Sequence, residues 1–367
     1  MIDIGKSVFN DDEVKKSLLF VYPNQFGYHT DTYKYCEYLQ GIYNITYVCF
    51  DQGYDKLSIP GVKVIYCGYN VNKLYRLLSY FEVIISLSRE NQFDIIFTVQ
   101  FKYSFIIGLF GKSKLKILDI RTGDLSNNNI KRRIKNIFLR FDSMFFEKVT
   151  VISQGLSDIL SLNIKKTTIL PLGSDIISSA DHSYDRLDLL YVGAIKIRNI
   201  HQTIEGLGLF LNNYNELRTK VSYTIVGFGP ESDIKKLVGT IEKWSLQGVV
   251  KFLGRRKYTD LKEYFDKCNI GVSYIPVVPY YEHQPATKTF EYVLSGLYTI
   301  ATGTIENRKV IAKSNGIICD DNPESFSLAL EQVYINRLEI NESNIRNSLI
   351  KFSWKEIITT HLIPVLN

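Results

Sequence analysis

The sequence predicts an α/β protein made of two Rossmann-like domains in tandem, each a parallel sheet covered by helices, with ligand sites facing a cleft. Short apolar runs alternate with helix-length segments along nearly the whole chain, the pattern of βαβ units and parallel sheets. At 367 residues the chain is too long for one ordinary core, so two domains are expected. Two series of apolar runs flank 173–186, a polar stretch without periodicity that reads as the interdomain linker.

In the first series the strands fall at 18–22, 46–50, 62–66, 95–99, 115–120, 148–152 and 167–170. In the second they fall at 187–192, 221–226, 249–252, 270–274, 298–301 and 316–319. The domains are therefore placed at 1–174 and 175–352. A closing helix over 353–367 starts at Ser353, a good N-cap residue. No internal repeat or low-complexity tract interrupts the pattern.

Hydrophobic residues at 45% and charged residues at 22% describe a soluble globular protein. No apolar run is long enough to span a bilayer, and the opening residues lack the apolar core of a secretory signal. Cys36, Cys49, Cys67, Cys268 and Cys319 are odd in number and scattered, without C-x-x-C spacing. They favour a reducing compartment and argue against structural zinc or a disulfide framework. The expected location is cytoplasmic. The net charge of +6 sits wholly in residues 1–174, with 22 basic against 16 acidic residues; 175–367 has 22 of each. Such asymmetry suggests an anionic partner, nucleic acid or an acidic membrane surface, or simply an ordinary charged exterior.

The most informative stretch is 282–302. It reads as a loop, a short helix and a buried strand. Pro285 suits the first helical turn, where a missing N–H costs nothing. Phe290, Val293, Leu294 and Leu297 make one apolar helix face. Lys288 and Glu291 share the other side, and Gly296 ends the helix. A helix start bearing Lys and Glu can hold both halves of a nucleotide sugar. Its free N–H groups take phosphate oxygens, and an ionised carboxylate accepts both ribose hydroxyls at about 1.5–3 kcal/mol per charge-assisted bond. A surface helix with one i,i+3 ion pair, worth ~0.2–0.5 kcal/mol, is the plainer alternative.

Upstream, the strand ending at Gly193 turns through Ala194, Lys196 and Arg198 into a helix. The strand at 221–226 enters the glycine turn Gly227-Phe228-Gly229, where backbone can approach a ligand closely; a plain tight turn explains it as well. Gly254 is followed by Arg255 and Arg256, a pair that suits a nucleotide or solvent. In the first half, Gly27 and His29 lie in a strand-end loop before a Tyr-rich helix, the usual ligand position in such a sheet. Arg121 ends another strand, free for a phosphate or paired with Asp119. The helix at 130–146 carries the stripe Ile130, Ile134, Ile137, Phe138, Phe141 and Phe145 beside Lys131, Arg132, Arg133, Lys135 and Arg140. Packing of the stripe is the preferred reading, leaving the basic side for a salt-sensitive, non-inserting attachment to anionic lipid.

Lys288, Phe290, Glu291, Tyr292 and Gly296, preceded by Pro285, resemble the donor-binding signature of retaining GT-B glycosyltransferases of the family-4 type (glycosyl transferases group 1), of the bacterial surface-polysaccharide kind. The Y-V-G-x-x-x-x-R-N run to Arg198 and the I-V-G-x-G-P run through Gly227 and Gly229 extend the similarity, which spans about 17 to 362. The resemblance implies a retaining, metal-independent transfer from a nucleoside diphosphate sugar to a glycan or polyprenyl-linked acceptor. It requires no cofactor and no nucleic acid partner. It implies that Arg198 and Lys288 stabilise the leaving diphosphate and that Glu291 binds ribose. Pro285, Ala286, Thr287, Gly227, Gly229 and Arg255 would line the donor, and Gly27, His29 and Arg121 the acceptor. The family often has a Glu-x7-Glu pair; here the first position is His283, with Glu282 beside it, so either is a candidate. Ala194 replaces a second frequent phosphate cation. The final helix of such proteins crosses back to the first domain, a docking that Phe352 and Trp354 suit. A silent GT-B nucleotide-sugar-binding subunit and an NAD-type oxidoreductase are the alternatives, the second opposed by the missing third glycine of a dinucleotide fingerprint.

Overall fold

The structure, a computed structural model, describes residues 15–68, 72–126 and 128–367. The opening segment read for a secretory signal lies almost wholly outside them. The chain divides into two compact units. Unit 1 comprises Met1–Gly123, Asn128–Leu170 and His361–Asn367, and unit 2 comprises Asp124–Asn127 and Pro171–Thr360.

Unit 1 holds a parallel sheet of β1 (Ser17–Val21), β2 (Asn44–Phe50), β3 (Val62–Cys67), β4 (Ile95–Val99), β5 (Leu115–Ile120), β6 (Lys148–Val151) and β7 (Thr167–Ile169). The strand order is β3-β2-β1-β4-β5-β6-β7. Its helices are α1 (Thr30–Leu39), α2 (Lys73–Glu90), α3 (Phe105–Phe110), α4 (Asn129–Ser143) and α5 (Gln154–Leu160). The central strand β1 has neighbours on both sides, and its Leu18, Leu19, Phe20 and Val21 are fully buried. That explains why it reads as a continuous apolar run rather than an alternating one.

Unit 2 repeats the plan with β8 (Leu187–Ala194), β9 (Val221–Phe228), β10 (Val250–Gly254), β11 (Ile270–Ser273), β12 (Tyr298–Thr302) and β13 (Gly316–Cys319). The order is β10-β9-β8-β11-β12-β13, all parallel. Around this sheet lie α6 (Ile200–Asn213), α7 (Glu231–Lys243), α8 (Lys262–Lys267), α9 (Thr287–Leu294), α10 (Ile305–Val310), α11 (Pro323–Asn336) and α12 (Glu342–Ser348). The chain closes with α13 (Trp354–Ile357) and α14 (Ile363–Leu366). Every predicted strand is present; β8 and β9 run two residues further than expected because Gly193 and Gly227 still pair across the ladder.

Four expectations change on folding. The stretch read as a linker is bonded along its length within unit 2. Ser174 N–H donates to Phe352 O at 2.9 Å, Arg346 donates to the carbonyls of Ser178 and Ala180, and the His182 ring lies between Glu342 and Phe265 O. Phe352 and Trp354, expected to dock on the first domain, pack inside unit 2. Phe352 stands against Phe290 at 4.9 Å between ring centres, and the Trp354 ring fills the space that a side chain on Gly173 would take. Pro285 lies outside α9, whose N-cap is Ala286, because the turn bonds of Tyr281, Glu282 and Gln284 hold the preceding segment as a loop. The stripe on α4 does not pack: Ile130, Ile134, Ile137, Phe138 and Phe141 are exposed while Leu139, Asp142 and Ser143 are buried. The Asp142 carboxylate accepts the Phe105 N–H at the start of α3 and a Gln100 amide proton, bonds the apolar stripe cannot make.

All five cysteines are free and buried. Among the described residues no helix is long and apolar enough to cross a membrane.

Candidate functional site

In unit 2 the strand order reverses between β8 and β11, and ligands bind open α/β sheets at the carboxyl ends of strands beside such a point. Three pieces of chain converge there: the turn after β8, the loop after β11, and the start of α9.

Helix α9 is fixed by its buried side. Phe290, Tyr292, Val293 and Leu294 are in the core, and Val192 N–H of β8 donates to the Tyr292 hydroxyl at 2.7 Å. The Thr289 hydroxyl is bonded to Ser273 of β11 at 2.6 Å and donates to Asn307 of α10 at 3.0 Å. These ties set the rotation of α9, which turns Lys288 and Glu291 toward the strand ends. Ala286 offers no side-chain oxygen to cap the helix; the Thr289 N–H is bonded to Ala286 O at 3.0 Å, and the start of the helix before it is open to an anionic ligand.

Lys288 carries its ammonium over the face of Tyr191, 3.9 Å from the ring centre. The nitrogen is buried and has no hydrogen-bond partner among the described residues. Gly193 makes this seat: a Cβ there would stand 2.9 Å from Lys288 Nζ, and its φ of +148 suits glycine. Burial first, then the nearby Arg198, pushes the ammonium down to about 7, against a smaller opposing pull from Glu291.

Arg198 reaches the same region from the β8–α6 turn. Ile197 and Asn199 on either side of it adopt left-handed backbone, φ +58 and +52, a strained arrangement for a β-branched residue. Its guanidinium lies 4.2 Å from the centre of the Tyr281 ring, and Nη1 is buried without a partner. Lys288 Nζ and Arg198 Nη1 thus lack a hydrogen-bond partner among the described residues, and each cation lies over an aromatic face, worth ~0.5–2 kcal/mol. Desolvating a cation costs more than such a face returns, and Glu291 offsets it only in part for Lys288, so the arrangement suits an arriving anion.

Glu291, half-buried, is the second half of the site. Burial and the negative charge of Asp175 push its carboxyl up to about 7, and Lys288 opposes the shift. The Tyr258 hydroxyl donates to Asp175 Oδ2 at 3.0 Å. A carboxyl that titrates near neutrality beside Lys288 can accept hydroxyl donors when ionised.

The other expected donor residues occupy varied settings. A Cβ on Gly227 would collide with the Gly193 carbonyl, and one on Gly229 would crowd Ile195 and Lys196. The two glycines thus let the β9 end lie against the β8 turn. Arg255 is exposed, 5.0 Å over the Phe228 ring. Glu282 accepts the Ile305 N–H at 2.7 Å, holding the start of α10, and His283 follows it half-buried in the loop. Pro285, Ala286 and Thr287 lead directly into α9. Lys196 is exposed. Among the described residues no three His, Cys, Asp or Glu side chains gather as a metal site.

In unit 1, Gly27 has φ +91 and packs on Leu57. His29 is the N-cap of α1, accepting from Thr32 N–H at 3.4 Å, and burial lowers its imidazole. Arg121 donates to Asp31 at 2.6 Å and to Leu170 O at 2.8 Å, while its Nη2 is buried without a partner among the described residues. Asp119, 3.8 Å away, is the weaker partner of Arg121; its carboxyl, pushed up to about 6 by burial, accepts from Thr150 at 2.7 Å.

Sequence reasoning missed Tyr191, Tyr281, Asp175 and Tyr258. Tyr191 sits inside an apolar strand and reads as core. Asp175 sits in the stretch read as a linker, and no local pattern in the sequence marks it.

Residues 186–336 match the family described as Glycosyl transferases group 1. No curated protein matches the sequence. The two parallel sheets are those of GT-B glycosyltransferase structures. Solved structures with the same fold include HepE from Anabaena in complex with UDP (14% identity, TM-score 0.75, covering 95% of this chain and 99% of that one). Sucrose-phosphate synthase from Thermosynechococcus elongatus is similar (14%, TM-score 0.71, 95% and 98%). So is WaaG, a glycosyltransferase involved in lipopolysaccharide biosynthesis (14%, TM-score 0.65, 94% and 99%).

Proposed function

We propose that the protein is a retaining, metal-independent glycosyltransferase that moves a sugar from a nucleoside diphosphate donor to a glycan or polyprenyl-linked acceptor in surface-polysaccharide synthesis. It would work in the cytoplasm, peripherally on the inner face of the cell membrane. The observation that carries this reading is the pair of cations Lys288 and Arg198, each with a buried nitrogen that lacks a hydrogen-bond partner among the described residues, near Glu291 at the strand ends of unit 2. The family match over residues 186–336 supports it, as does a structural neighbour solved with UDP and with UDP-glucose.

In the proposed reaction the diphosphate lies over the start of α9 and the β8 turn, with ribose hydroxyls on Glu291. As the glycosidic bond breaks, negative charge grows on the diphosphate. Lys288, Arg198 and the α9 N–H groups, already desolvated and aimed, stabilise that charge without reorganising. The two cations neutralise the leaving group, the task a divalent metal performs elsewhere. The acceptor hydroxyl attacks from the same face of the sugar, so the anomeric configuration is kept. Acceptor contacts are proposed for the β1–α1 loop, around Gly27 and His29.

A thermal-shift panel of UDP-, GDP- and other nucleotide sugars should single out one donor. Acceptor-dependent nucleotide release, with the product anomer read by NMR, then tests transfer and its stereochemistry. Absence of any donor shift rejects the site, and an inverted anomer rejects the retaining course. A silent nucleotide-sugar-binding subunit is the second reading, favoured by Glu282 being bonded to Ile305 rather than to the site. It predicts donor binding with no release on any acceptor.

A further inference from the structure

Helix α4 is built the wrong way round for a helix that serves only to cover a sheet. At about 100° per residue, Ile130, Ile134, Ile137, Phe138, Phe141 and Met144 fall within an arc of about 120°, and all six are exposed, Ile130 at 71% and Phe138 at 63%. Its inward side carries Leu139, Asp142 and Ser143. Asp142 accepts from Gln100 at 3.1 Å and from Phe105 N–H at 3.4 Å, and Lys166 donates to Ser143 O at 2.6 Å. Those ties hold the stripe outward. Lys131 and Lys135 flank it on one edge, Arg133 and Arg140 on the other, and all four are exposed. The neighbouring α3 touches α4 through Phe105 and Phe141 and carries two more exposed apolar residues, Leu109 and Phe110.

We propose that α4 is a membrane-inserting surface: it lies in the plane of an anionic bilayer, its apolar stripe at the headgroup–acyl boundary and its two cationic edges on lipid phosphates. The charge placement favours this occupant. An apolar stripe between two basic edges matches the layered chemistry of an anionic interface. A second copy of the chain docked on the same face would bring the same four cations together across a two-fold axis. The proposal deepens the membrane part of the function proposed above and does not depend on the transfer chemistry. It also replaces a purely electrostatic attachment, since burial of the stripe gives a component that salt does not screen.

Flotation of the full chain with phosphatidylcholine vesicles, with and without phosphatidylglycerol, tests it in the absence of donor and acceptor. Failure here therefore leaves nucleotide release untouched, and the reverse also holds. The wild type should float with anionic vesicles and remain partly bound at high salt. The variant I134S/I137S/F138S should bind only at low salt, its high-salt partition lowered about tenfold or more. The variant K131Q/R133Q/K135Q/R140Q should lose the preference for anionic lipid. All substituted side chains are exposed, so unchanged melting and circular dichroism confirm the fold. In a Phe138→Trp protein the emission should shift to the blue on vesicles and be quenched by lipids brominated on the acyl chain, relative to the wild type with Trp244 and Trp354. The proposal is overturned if the wild type never floats, or if the serine variant keeps its salt-resistant binding. An unshifted emission spectrum of the Phe138→Trp protein overturns it too, as does a lipid-free dimer that the serine variant abolishes.

Discussion

The Lys288 ammonium stands 3.9 Å above the centre of the Tyr191 ring with no hydrogen-bond acceptor. An aromatic face supports a cation without neutralising it. The protein therefore holds a weakly supported cation where the proposed diphosphate arrives, and Gly193 leaves it room to do so.

Replacing Lys288 by Met should separate stability from function. Removing a buried, unpaired charge favours the free fold, so the melting temperature of the free protein should hold or rise. Turnover should fall by ~10²–10³-fold, the typical loss for one preorganised group at a developing charge. Calorimetric melting and nucleotide release check both halves. A destabilised but fully active variant would show that Lys288 is a core-packing residue only.

Donor binding should be linked to protons, with opposite signs on either side of neutrality. Lys288 in the folded protein lies at about 7, below the ordinary 10.5. Between those values the native state holds fewer protons than the unfolded chain, so this group's contribution to stability rises with pH there. Glu291 lies at about 7, above the ordinary 4.5, so its contribution falls as pH rises from 4.5 to 7. Both groups sit among Arg198, Asp175 and Tyr258. A bound diphosphate returns the proton to Lys288, and ribose hydroxyls favour the ionised Glu291. Titration calorimetry in buffers of different ionisation enthalpy should show proton uptake above pH ~7 and release below it.

Glu291→Gln should keep the fold and weaken donor binding by about 1.5–3 kcal/mol. The residue lies on the polar side of α9, whose opposite face is buried, so its loss opens no cavity. Unchanged donor affinity by calorimetry would remove ribose binding from its role.

Arg198→Ala should lower turnover by ~10²–10³-fold, far more than Lys196→Ala. Arg198 is held over Tyr281 with a buried, unpartnered nitrogen, whereas Lys196 is exposed. Steady-state rates of the two variants at saturating donor give the comparison. Small, equal effects would assign the turn to solvent.

The order of strands along the chain was legible because it depends on local pattern. A buried parallel strand such as Leu18–Leu19–Phe20 is apolar throughout, and the helix between two such strands has its own period. The Lys288–Glu291 spacing on α9 was legible for the same reason, since three residues along a helix share a side.

What the tertiary structure decided is whatever depends on partners distant in sequence. Tyr191 and Tyr281 lie beneath the two cations only because β8, the β11 loop and α9 meet at the strand ends, and no local pattern marks them. Arg121 pairs chiefly with Asp31, 90 positions away, rather than with its neighbour Asp119. Periodicity found the stripe on α4 but could not assign its direction, because an amphipathic helix has the same sequence whether its apolar side faces a core or a bilayer. The polar ties settle it: the Asp142 side chain accepts from Gln100 and Phe105, and the Ser143 carbonyl accepts from Lys166, which holds one face of α4 inward and leaves the apolar one outside.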